Sequence, residues 1–249
     1  DFCEVYPAHG AGSLCGRSMG AKWLTTIGYE RRFNAALQIR DKAEFIRSLT
    51  TNMPPAPDHF SRCSDINRRG PALFADLPVM EELRPEVFRK RIDPDKTVVL
   101  DARGYAAFGG MHVAGAWHLD LNGNFPTFAG WVLPTDRDIL VVAEDCENAV
   151  EARTWARRVG MDRITGCLTG GMPAWAAAGL PTDAVPLLST GELHDRVCAG
   201  APMVLVDVRG RGEFMSSHIP GALNIPAPEL RTRHAELDPE KLTVVICST

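Results

Sequence analysis

The sequence predicts an α/β protein with parallel sheets, in which one unit is used twice. Three observations predict it. The runs Thr97-Val98-Val99-Leu100 and Asp138-Ile139-Leu140-Val141-Val142 are short, apolar and bounded by polar residues, as buried parallel strands are. A helix is expected from Asn148 to Val159, stopped by Gly160 at its C-terminal cap. The string Val98-Val99-Leu100-Asp101-Ala102-Arg103 returns as Val204-Leu205-Val206-Asp207-Val208-Arg209. Phe108, His112 and Gly115-Ala116 return at the same offset as Phe214, His218 and Gly221-Ala222. Repetition with coherent spacing is the mark of a duplicated structural unit.

Composition bounds the function. The 249 residues are 45% hydrophobic and 23% charged, with a net charge of −4 and a pI near 6.0. That balance gives no reason to expect nucleic acid or an anionic membrane as partner. No apolar run approaches the ~18–20 residues of a membrane span. The start, Asp-Phe-Cys-Glu, lacks the basic and apolar regions of a signal peptide and an initiator Met, so an internal start is expected. The seven cysteines are odd in number, widely spaced and without CxxC spacing. This argues against a disulfide framework or zinc knuckle and for a reducing compartment, most simply the cytoplasm.

In chain order, Glu4-Val5-Tyr6 is strand-like and ends at Pro7. A Gly-rich loop, His9-Gly10-Ala11-Gly12-Ser13-Leu14-Cys15-Gly16, follows. Helical spacing of Ile27, Phe33, Ala36 and Leu37 predicts one helix from Thr26 to about Ile39. Asp41 with Glu44 three residues later opens a second through Leu49, ended by Pro54-Pro55-Ala56-Pro57. Residues 1–75 hold too few strands for a core and read as the end of a larger domain. Residues 79–182 read as one α/β unit, which also has a strand from Arg163 to Leu168 and a helical turn from Pro173 to Ala178. Residues 187–249 repeat its start, with Val244-Val245-Ile246 matching Leu140-Val141-Val142. The second copy stops at Thr249, so the chain is expected to be a fragment, cut at both ends.

The pattern Asp-x-Arg, then Phe, then His-x-x-Gly-Ala resembles the rhodanese superfamily. The first copy adds a closing segment, Leu168-Thr169-Gly170-Gly171-Met172-Pro173-Ala174-Trp175, that is similar to the family's. Residues 1–75 resemble the C-terminal end of the metallo-β-lactamase αββα fold, in its persulfide dioxygenase and glyoxalase II-like branch. The matching residues are Val5-Tyr6-Pro7-Ala8-His9-Gly10 and Thr26 to Asn34. The order is similar to that of bacterial persulfide dioxygenase–sulfurtransferase fusions. The resemblance implies Fe(II), or alternatively Zn, in the intact metallo-β-lactamase domain, with most ligands upstream and no complete site here. It implies small sulfur partners: glutathione or another low-molecular-weight thiol persulfide, thiosulfate and sulfite. It leaves a homodimer open. Two other readings stay open, a glyoxalase II-like hydrolase and rhodanese modules that only bind or scaffold.

The candidate residues follow. Cys247 stands where a strand should give way to a tight loop, of which Ser248 and Thr249 are present. In rhodaneses that loop opens with Cys and leads into a helix, and amides gathered around the sulfur favour a thiolate. The sulfurtransferase loop and the longer loop of related phosphatases both remain open. The first copy has Ala143 there, then Glu144 and Asp145, whose carboxylates would repel an anionic donor. Cys146 lies three positions late, so this copy is expected to be silent. Asp101–Arg103 and Asp207–Arg209 are expected as ion pairs bracing the loops, and His112 and His218 as hydrogen-bonding loop residues. His59, His118, His194 and His234 carry no motif. By resemblance, His9 is on or beside the metal. Cys15 is either a persulfide relay or a small buried residue.

Overall fold

The computed structural model describes residues 1–7, 22–51, 57 and 59–247. His9, Cys15, Ser248 and Thr249 lie outside them. Two compact units divide after Pro57. In the first, β1 (Glu4–Val5) pairs antiparallel with β2 (Thr25–Thr26). The single helix expected from Thr26 is two, α1 (Ile27–Phe33) and α2 (Ala35–Gln38). Asn34 is the reason: its backbone is extended, and its side chain accepts from Ala36 N at 3.0 Å, so it caps one helix while ending the other. Helix α3 (Lys42–Thr50) begins as expected, with Asp41 accepting from Glu44 N at 2.8 Å.

The second unit opens with α4 (His59–Arg69), upstream of the boundary at 75 that the sequence suggested. This helix packs on the first repeat. Arg62 donates to Val159 O at 2.8 Å and to Gly130 O at 3.3 Å, and His59 is buried.

The first repeat runs β3 (Glu81–Leu83), α5 (Pro85–Arg91), β4 (Thr97–Asp101), α6 (Tyr105–Gly110), β5 (His112–Val113), β6 (Trp117–His118) and α7 (Phe125–Val132). It continues through β7 (Asp138–Val142), α8 (Cys146–Arg157), β8 (Ile164–Leu168), α9 (Gly171–Ala177) and β9 (Thr182–Asp183). Its parallel sheet has the order β3-β8-β7-β4-β6. Alternate residues serve opposite faces. Val98, Leu100, Ile139 and Val141 face α7 and α8, while Val99, Leu140 and Val142 face α5 and α9. Helix α8 approaches closely because its buried stripe is Ala149, Ala152 and Ala156, small residues at helical spacing. On the other face Trp175 meets Phe88 edge-on at 5.9 Å and donates to Pro181 O.

The second repeat comprises α10 (Thr190–Cys198), β10 (Val204–Asp207), α11 (Arg211–Ser216), β11 (Leu223–Asn224), α12 (Leu230–Arg233) and β12 (Thr243–Ile246). Its parallel order β11-β10-β12 reproduces β6-β4-β7. Strand β12 was expected to be buried, yet Val245 is 59% exposed, because among the described residues β12 pairs only with β10.

Gly166 tests this packing. A Cβ there would lie 2.6 Å from Leu83 Cδ1 and 3.1 Å from Leu140 Cδ2, within the sheet's closest contact. Gly166→Ala is expected to cost about 1–3 kcal/mol by overpacking, read as a lower urea midpoint at an unchanged slope.

Candidate functional site

Both repeats build the same scaffold at the C-terminal ends of their strands. In the first, Arg103 Nε donates to Asp101 Oδ1 at 2.9 Å and its terminal nitrogen to Oδ2 at 2.7 Å. The same nitrogen donates to Met111 O at 2.7 Å. In the second, Arg209 makes the corresponding bonds to Asp207 at 3.0 and 2.6 Å and reaches Ser217 O at 2.7 Å. Each aspartate also accepts the arginine's own backbone N–H. The carboxylate thus turns the chain off its strand, and the guanidinium ties that turn to the end of the next helix. His112 Nδ1 donates to Phe108 O and His218 Nδ1 to Phe214 O, both at 2.8 Å. Each imidazole stacks on that phenylalanine at 3.9 Å, which explains why Phe and His recur together.

His118, which carries no motif, also holds this turn. Its Nε2 donates to Arg103 O at 2.7 Å, and in the second copy Asn224 does the same work, donating to Arg209 O and Asp207 O at 3.0 Å. The two occupy matching sites on β6 and β11. The signal is the alignment of the repeats, in which a polar donor is retained while its identity changes.

The copies differ where the third strand ends. After β7 come Ala143, Glu144 and Asp145, and α8 starts at Cys146. Asp145 is the helix cap and accepts from Asn148 N at 2.8 Å. The chain's own carboxylate therefore meets one of these amides and places a negative charge at the start of α8. The closing segment presses on this loop: a Cβ on Gly171 would stand 3.2 Å from Ala143 O and 3.4 Å from Glu144 O. Cys146 packs against the core cluster that contains Cys167. Burial, then a hydrogen bond with Cys146, pushes the Cys167 thiol far above its ordinary range.

In the second copy the matching position is Cys247, exposed directly after β12. Val208 N donates to Ile246 O at 2.9 Å, as Ala102 N does to Val142 O, so the turn after β10 is docked to the strand that delivers the cysteine. The hydrogen bond from Arg209 holds the Asp207 carboxyl below its ordinary range. That bond also raises the Arg209 guanidinium, with lesser contributions that include the charge of Cys247. Arg209 thus stands within electrostatic reach of the thiol. Among the described residues no group of three or more His, Cys, Asp or Glu is gathered as a metal ion requires. The described residues do not make an iron or zinc site.

The comparisons agree with a unit used twice. The family model described as a Rhodanese-like domain matches residues 84–178 and 189–249. The chain belongs to the rhodanese family. A metallo-β-lactamase from Staphylococcus aureus is similar in structure, with TM-score 0.53 and 29% identity, over 67% of this chain and 44% of that one. An HTH-type transcriptional regulator from Mycobacterium tuberculosis is 45% identical over 69 residues, 28% of this chain and 29% of the relative. A thiosulfate sulfurtransferase from Pseudomonas aeruginosa has TM-score 0.36 and 24% identity over 68% of this chain and 36% of that one. The chain thus spans less than half the length of each of these relatives. No helix among the described residues is long and apolar enough to cross a membrane.

The fork predicts an asymmetry between the copies. Asp101 and Arg103 are 0% and 8% exposed, whereas Arg209 is 19% exposed. Asp101→Ala strands a buried guanidinium and is expected to cost about 3–5 kcal/mol, with Asp207→Ala costing less, both read by thermal unfolding. Because the folded Asp207 pKa is depressed, its contribution is complete above its ordinary value near 3.8 and is lost as pH falls through the lower folded value. Acid unfolding monitored by circular dichroism should therefore be flat in this contribution above about pH 5, and Asp207→Asn should remove its part of the fall below pH 4.

Proposed function

We propose that the protein is a sulfurtransferase in which Cys247 carries sulfane sulfur as a persulfide. The observation that carries this reading is the position of Cys247, exposed at the end of β12, the strand paired with the one that ends in the Asp207–Arg209 fork, within a rhodanese-family repeat. The chemistry balances without a redox cofactor. The Cys247 thiolate attacks the outer sulfur of thiosulfate, an S–S bond forms, the old S–S bond breaks, and sulfite leaves with its electron pair. An acceptor thiolate then takes the outer sulfur and returns Cys247 to the thiolate. A cationic neighbour favours both the thiolate and an anionic donor, which suits Arg209. Low-molecular-weight thiol persulfides would react by the same attack.

The first repeat, in this reading, is a packing module. Ala143 offers no nucleophile, Asp145 caps α8, and Cys146 packs toward Cys167. We further propose that the N-terminal unit is the end of a metallo-β-lactamase-type domain of the persulfide dioxygenase branch. The similarity to the Staphylococcus aureus structure and the residues Val5 to Gly10 support it. Metal content and oxygen uptake of the whole protein test that part, and absence of a bound metal would remove it.

Cys247→Ser in the whole protein should lower thiosulfate:thiol transfer to background while the thermal midpoint holds, and Cys146→Ala should leave turnover unchanged. Transfer that survives Cys247→Ser and disappears with Cys146→Ala would reverse the assignment of the copies. Ala143→Cys alone should not create a second site, because Asp145 still caps α8; a steady-state assay in a Cys247→Ser background reads this directly.

A further inference from the structure

A cleft of about 680 Å³ lies between α4, the segment 70–77 and the C-terminal end of α8. Three arginines line it: Arg69, Arg157 and Arg158. Among the described residues none of the three is ion-paired to a carboxylate. Arg157 is held in place, with one terminal nitrogen donating to Pro78 O at 3.1 Å and the guanidinium carbon 5.2 Å from the centre of the Phe74 ring. Its Nε is buried and has no acceptor. Arg158 lies 4.2 Å over the Trp155 ring.

Basic residues in a last helical turn offset the partial negative charge of the helix end, and that explains why arginines occur at the ends of α4 and α8. It does not explain their convergence on one cleft. It gives no acceptor to the buried Nε, which costs free energy while unmet. Burial, then the neighbouring Arg153, lower the Arg157 pKa, against a smaller opposing effect of Asp162, which also lines the cleft. An anion in the cleft would supply a counter-charge to the three guanidinium groups. Guanidinium forks bind carboxylate and phosphate groups bidentately, and the cleft volume suits a small organic molecule. Phe74 and Leu77 give it an apolar wall.

We propose that this cleft binds a small organic anion bearing two or more carboxylate or phosphate groups, held by Arg69, Arg157 and Arg158. The site is separate from Cys247 and does not depend on the sulfurtransferase reading.

The test is calorimetric titration of the protein with citrate and with inorganic pyrophosphate, at fixed ionic strength. At least one should bind more tightly than about 1 mM, with a change in tryptophan emission from Trp155. Arg157→Gln should weaken binding by about 10-fold or more, and Arg158→Gln, at the exposed rim, should weaken it without lowering the thermal midpoint. Asp162→Asn should tighten it by removing the opposing charge. A preference for citrate assigns a carboxylate ligand and a preference for pyrophosphate a phosphate ligand; either supports the proposal. Failure of both anions to bind, or unchanged binding in Arg158→Gln and in the Arg157→Gln, Arg158→Gln double variant, would overturn it.

Discussion

The Asp-x-Arg fork at the end of β4 and of β10 is the contact on which both repeats depend. A carboxylate buried at a strand end is costly to desolvate, and only a geometry that meets all its lone pairs offsets that cost. Here the arginine two residues on supplies its side chain and its backbone N–H together. A further N–H of the same terminal guanidinium nitrogen goes to Met111 O or Ser217 O. One ion pair therefore fixes the strand end, the turn and the end of the following helix. The Phe–His stack and the docking of the turn on the next strand build outward from it.

That scaffold can serve opposite ends. Where β7 stops, helix α8 begins with amides that have no partner within the helix. In the first repeat Asp145 meets one of them from within the chain, and the Gly170-Gly171 segment packs against the same loop. In the second repeat the residue at that point is an exposed cysteine. A carboxylate cap and a bound anion compete for the same helix end, so the Asp145 cap stabilises α8 and disfavours an anion there.

Much of this was legible in the sequence because the chemistry is local. Asp-x-Arg needs two residues of separation to close its fork, so the pair announces itself in the letters. The repeat register places Cys247 opposite Ala143 without any knowledge of contacts. Helix α8, stopped by Gly160, and the strands β4 and β7, short apolar runs bounded by polar residues, were legible in the letters. What was hidden depends on partners distant in the chain. Asn34 breaks a helix that spacing alone would continue, since a cap competes with propensity only through its own hydrogen bond. Helix α4 belongs with the first repeat because Arg62 reaches carbonyls near residues 130 and 159. His118 and Asn224 act through one donor each, and a role that any donor can fill leaves no fixed letter to read.

The central claim is that sulfur rides on Cys247 and nowhere in the first repeat. Peptide mass mapping after treatment of the whole protein with thiosulfate tests it most directly. One added sulfur atom is expected on the peptide that contains Cys247, removed by a thiol acceptor, with the Cys146 and Cys167 peptides unchanged. Sulfur found on Cys146 while the Cys247 peptide keeps its unmodified mass would contradict it.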